Sequence, residues 1–214
     1  EERTQEVVVQ KEEAEIQRDF AEEQKKIAEH QKELVEEKNK EILDSINYAK
    51  RLQQAILPPE KYVNEHLKDS FILYKPKDIV AGDFYWMEHT SKNETFIAAA
   101  DCTGHGVPGA MVSVVCSNAL DRSLKEFNIT DPGKLLDRTT DLVIETFQKS
   151  EDQVKDGMDI SLCKIIYNED RSEATIQYSG ANNPLWIVSK NESLNLEGTM
   201  DFAFMFIPSE AIYY

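Results

Sequence analysis

Cysteine is scarce and odd in number, with only Cys102, Cys116 and Cys163 in a chain of 214 residues. So few thiols, so widely spaced, exclude a disulfide framework and a cysteine zinc site. Each lies in apolar or glycine-rich surroundings, where small buried thiols are common, so a reducing, cytoplasmic compartment is expected. Positive charge is short as well: 24 Lys and Arg face 40 Asp and Glu, for a net charge of -16. That deficit argues against nucleic acid as the main partner, because phosphate backbones recruit Lys and Arg. It argues equally against an anionic membrane surface, and it also fits a plain acidic, solubilising exterior. No apolar run approaches the roughly 20 residues that span a bilayer, and no signal peptide is visible. The chain opens on Glu1 without methionine. It is therefore read as a piece of a longer protein, with room upstream for an anchor.

Glycine and proline are absent from the first 57 residues. Glu, Lys, Gln and Ala dominate there, and all are good helix formers. Val9 and Ile16 stand seven apart, Phe20 follows Ile16 by four, and Phe20, Ile27 and Leu34 recur at seven. A second series of Val35, Ile42, Ala49 and Ile56, with Ile46 four after Ile42, is offset by one residue at Leu34-Val35. So narrow a stripe needs a partner helix to bury it, which predicts a parallel dimeric coiled coil with a phase break. Pro58-Pro59 ends the helix.

Beyond Pro59 the pattern changes. Strands are predicted at Phe71–Tyr74, Tyr85–Met87, Thr95–Ala100, Ile160–Tyr167, Ala174–Ser179 and Leu185–Val188. Helices are predicted from Gly109 to about Phe127, and from Pro132 or Gly133 through Phe147. Strand pairs separated by helices, without strict βαβ alternation, predict an α+β sandwich with antiparallel sheets.

Two aspartates carry the strongest chemical signal. Asp83 lies in Val80-Ala81-Gly82-Asp83-Phe84-Tyr85 and Asp101 in Ala98-Ala99-Ala100-Asp101-Cys102-Thr103-Gly104-His105-Gly106. Each is expected to close a strand and to meet glycine at once. Alone, either reads as a turn or capping aspartate. Together, beside glycines that let backbone approach a ligand, they suit a hard divalent cation such as Mg²⁺ or Mn²⁺.

These residues bring the chain to a family. It resembles the metal-dependent serine/threonine phosphatases of the PPM (PP2C-like) class, in the bacterial SpoIIE/RsbU-type branch. The matching stretches are Ala55-Ile56-Leu57-Pro58, Val80–Tyr85, Ala100–Met111 and Tyr178–Pro184. The resemblance implies a PP2C-like αββα sandwich of antiparallel sheets flanked by helices, preceded by the coiled-coil helix. It implies Asp83 and Asp101 as metal ligands acting through activated water, and the backbone carbonyl of Cys102 as a further ligand. Gly82, Gly104, His105 and Gly106 would shape the loop, with His105 read as a satisfied loop histidine rather than a general acid. The implied cofactor is Mn²⁺ or Mg²⁺, as two ions in the complete domain. The implied substrate is a phosphorylated signalling protein, such as an anti-sigma-factor antagonist.

Family members continue to a Thr-Asp-Gly-like motif and a later aspartate pair, and neither occurs here. The expectation is an incomplete domain with its C-terminal part missing. Asp201 lacks the glycine and is not assigned, and Asp159 reads as a turn or strand-edge aspartate. The expected organisation is residues 1–57 as a regulatory coiled coil, 58–198 as the phosphatase domain and 199–214 as a divergent tail. The leading expectation is a regulated phosphoprotein phosphatase. The alternative is a non-catalytic signalling or dimerisation module.

Overall fold

The computed structural model describes residues 2–67, 70–148, 156–189 and 202–205. It divides into two compact units, Glu1–Tyr48 and Ala49–Tyr214. The first unit is most of helix α1, Glu2–Ile56. Nothing in its sequence interrupts an α-helix, and at 1.5 Å per residue α1 is about 80 Å long. Lys25–Glu29, Lys26–Glu22 and Lys32–Glu36 pair along its surface at i,i+4, each a modest and salt-sensitive contribution. The expected seam residues Phe20, Ile27 and Leu34 stand exposed on the single chain. The side chain of Val9 lies outside the described residues.

In the second unit α1 ends before Leu57-Pro58-Pro59, as the prolines require. A short helix α2, Glu60–His66, follows. Residues 70–83 then run without a strand. The strand expected at Phe71–Tyr74 is therefore absent. Phe71 and Leu73 are solvent-exposed there, so no core holds the segment extended.

Strands β1 (Phe84–His89) and β2 (Glu94–Cys102) form an antiparallel hairpin. Helix α3 spans Gly106–Lys125 and α4 spans Pro132–Phe147. The start of α4 is set by Asp131, whose side chain accepts from the Lys134 N–H at 2.9 Å, and by Pro132 in its first turn. Strands β3 (Met158–Tyr167) and β4 (Ala174–Ala181) make the second hairpin. All four strands form one antiparallel sheet in the order β1-β2-β3-β4. Strand β5 (Trp186–Ser189) pairs with β6 (Phe202–Met205) in a separate two-stranded sheet. Apart from β6, the segment 199–214, including Asp201, lies outside the described residues.

Alternation along the strands puts Phe84, Trp86, Phe96, Ala98, Ala100, Cys102, Ile160 and Leu162 on one face. Helices α3 and α4 cover that face with Val112, Cys116, Leu120, Leu135 and Leu142. Cys102, Cys116 and Cys163 are all buried and free. The α+β architecture with antiparallel sheets is the one expected.

Candidate functional site

The open end of the β1–β2 hairpin carries both sequence-selected aspartates. Phe84 pairs with Ala100, so Asp83, the residue just before β1, and Asp101 of β2 come next beyond that pair. Asp101 is the penultimate residue of β2, as expected. Asp83 does not close a strand: it directly precedes β1, because the Val80–Gly82 segment before it is loop backbone. Both are half-buried.

Glycine is required on one side of this end. A Cβ at Gly82 would lie 2.6 Å from the Gly104 carbonyl oxygen and 2.9 Å from that of Cys102. The Cys102 carbonyl therefore faces the Gly82–Asp83 turn. Gly104 and Gly106 take positive φ, 87° and 61°, which lets the loop fold back over Gly82 before α3 begins. Thr103 ties the loop to β3: its N–H donates to the Gly157 carbonyl at 3.0 Å, and Gly157 N–H donates to its hydroxyl at 3.2 Å. His105 is exposed, with Nδ1 3.1 Å from Asp78 Oδ2. It thus links the loop after β2 to the segment that leads to Asp83.

Three residues at this end were not selected from sequence. Asp159 of β3 sits directly opposite Asp101 across the sheet. Asn182, at φ 62°, donates Nδ2 to Asp159 Oδ1 at 2.7 Å. Tyr74 donates its hydroxyl to the Asp83 carbonyl at 3.1 Å. Burial, then the charges of Asp83 and Tyr85, push the Tyr74 phenol up to about 12. The pairing of β2 with β3 was not fixed by the sequence pattern, so nothing in it pointed Asp159 at Asp101.

Gln53, in the last turn of α1, reaches the same turn from behind. Its Nε2 donates to the Ala81 carbonyl at 2.5 Å and to Ser113 Oγ at 2.9 Å, while Oε1 accepts from the Ala81 N–H at 3.1 Å. Ser113 passes the bond on to the Ala110 carbonyl at 2.8 Å. Gln53 is buried, and it fixes the backbone two residues before Asp83. A buried amide that satisfies both backbone groups of one residue is a positional constraint as much as a stabilising one. In sequence it reads only as one more glutamine on a polar helix.

The Cys102 thiol is pushed up by its hydrogen bond to Cys116, by burial, and by the carboxylates of Asp101 and Asp83. That places negative charge close to the end of β2. The donors available to a cation are oxygens: two carboxylates and the Cys102 carbonyl. This chemistry fits Mg²⁺ or Mn²⁺ better than zinc, which prefers His and Cys. Among the described residues, no three His, Cys, Asp or Glu side chains are grouped closely enough to hold a metal ion.

The family model for stage II sporulation protein E (SpoIIE) matches residues 91–205, more than half of the chain. Among solved structures, the chain is similar to the SiaA-PP2C domain of Pseudomonas aeruginosa. Identity is 31% and the TM-score 0.58, over 70% of this chain and 57% of that one. The chain thus spans somewhat over half the length of that relative. No curated protein matches it. An antiparallel sheet backed by two helices, with paired aspartates at its end and these two matches, places the chain in the SpoIIE branch of the PP2C-like phosphatases.

Proposed function

We propose that the chain is a metal-dependent phosphoprotein phosphatase that hydrolyses phosphoserine or phosphothreonine in a bacterial signalling protein. The carrying observation is the placement of Asp83, just before β1, beside Asp101 of the neighbouring strand β2, with the Cys102 carbonyl turned toward the same turn. Asp83 and Asp101 would hold the cation, and the Cys102 carbonyl would complete their side of the site. When bound, Mn²⁺ or Mg²⁺ supplies Lewis-acid polarisation of phosphoryl oxygen and lowers the pKa of water. The residues themselves orient this end: Tyr74 and Gln53 fix the backbone on either side of Gly82, and Asn182 fixes Asp159. The substrate of the proposal is a protein of the anti-sigma-factor-antagonist type.

Regulation in this reading runs through α1. A parallel dimer along the Phe20–Leu34 seam would carry an upstream signal toward Gln53, and the phase break at Leu34-Val35 would let the helix adopt two settings. Gln53 supports this reading, because it couples the last turn of α1 to the backbone just before Asp83.

The test is Mn²⁺-dependent hydrolysis of a phosphoserine peptide, with Mn²⁺ binding measured separately by calorimetry. Asp83→Asn and Asp101→Asn are each expected to lower turnover by about 100-fold or more and to weaken binding. Equal turnover and equal binding in all three proteins would overturn the assignment. One observation favours a second reading, a non-catalytic signalling or dimerisation module: no third His, Cys, Asp or Glu side chain is grouped with another two for a metal among the described residues. Weak Mn²⁺ binding that depends on both aspartates, without turnover, would select that reading.

A further inference from the structure

Helix α2 is held to the sheet by very little. It has seven residues, and only Val63 among them is buried. Its remaining attachments converge on the last residue of β1. The Tyr62 hydroxyl accepts from the His89 N–H at 3.0 Å. The Tyr62 and His66 rings meet edge to face at 4.9 Å, and the His66 and His89 rings stack at 4.0 Å and 17°. On its far side His89 Nδ1 lies 2.9 Å from Thr95 Oγ1 of β2.

We propose that the stacked imidazoles of His66 and His89 form an acid-released latch that fastens α2 to the sheet. Two neutral imidazoles stack readily. Two imidazolium ions at this spacing repel each other, and protonation removes the stack that closes the last turn of α2. The neighbouring charges do not relieve the pair. From the β3–β4 turn, Arg171 adds a further positive charge that acts on His89. From β2, Glu94 is held by Lys164 of β3 at 2.7 Å. From β1, Glu88 is engaged by Lys125 of α3, which also pairs with Asp121 at 3.2 Å. Glu60 on α2 acts on the Tyr85 phenol.

The direction follows from linkage. Burial first, then His66 and Arg171, hold the His89 pKa below its ordinary value of 6.5. Above that value the docked and undocked forms bind the same protons, and docking is at full strength. Below it the undocked imidazole takes a proton that the docked one refuses, and docking weakens until the docked His89 titrates too. Release would open the cavity of about 380 Å³ that Tyr62 lines with Leu57, Pro58, Trp86 and Asp121.

Hydrogen exchange of the full chain tests this, comparing about pH 7.5 with about pH 5.5 after correction for intrinsic exchange. Protection of the 60–67 segment is expected to fall at the lower pH, while protection of β3 holds. In His66→Phe, which keeps an aromatic ring but takes no proton, the acid-dependent fall in α2 protection is expected to shrink, because the His66 charge is gone while burial and Arg171 still act on His89. His66→Gln serves as a second variant, with weaker docking and the same reduced acid dependence. Flat α2 protection in the unaltered chain, or a fall in both variants as large as in the unaltered chain, would overturn the latch.

Discussion

Residue by residue, the polar contacts around Asp83 are more specific than any packing contact nearby. Gln53 satisfies both the N–H and the C=O of Ala81 and a serine hydroxyl besides. Removing it strands buried backbone groups, and each costs on the order of 1–3 kcal/mol when left unsatisfied. Gln53→Ala is therefore expected to lower unfolding stability by about 2 kcal/mol, read from urea denaturation. It is also expected to reduce turnover beyond what that loss explains at temperatures where the protein stays folded. A variant of full activity would show that the clamp is only structural. The two aspartates were legible in sequence because carboxylates beside glycine are few and chemically pointed. Gln53, Tyr74, Asp159 and Asn182 were not. Their importance lies in what they face, and a glutamine on a charged helix or an aspartate at a strand start gives no local signal of that.

At the scale of the element, the helical patterns and the β3–β4 hairpin follow from periodicity and breakers. Helix α4 begins where Asp131-Pro132 predicts, and β3 and β4 pair around the Glu169–Ser172 turn. The failures also have a cause. Phe71–Tyr74 has strand composition, but among the described residues no strand pairs with it, and composition alone does not make a strand. Asp83 was expected to end a strand that its glycine neighbour prevents, since Gly82 is spent on a close approach to the next loop. Helix α1 carries its own prediction. Leu34 and Ile27 are exposed on the single chain, and so narrow a seam gains stability only against another helix. Ile27→Asp with Leu34→Asp is expected to shift the mass measured by light scattering from dimer to monomer, with the β-sheet circular-dichroism signal intact. An unchanged mass would remove the seam as an interface.

The whole molecule is an acidic chain, of sequence pI about 4.7. No described helix is long and apolar enough to cross a membrane. Its sheet order also has a consequence for the order in which the protein is made. β2 and β3 are neighbours in space, yet all of α3 and α4 lies between them in sequence. A helical hairpin forms from local contacts, whereas joining β2 to β3 must first close that long loop. In pulse-labelling during refolding, amides of α3 and α4 are expected to gain protection before those of β2 and β3. Simultaneous protection, or β2–β3 first, would contradict this order. In that order Asp101 and Asp159 would come opposite each other only in the last structured species, so a partly folded chain emerging from synthesis would have its helices but not yet the sheet end that brings these carboxylates together.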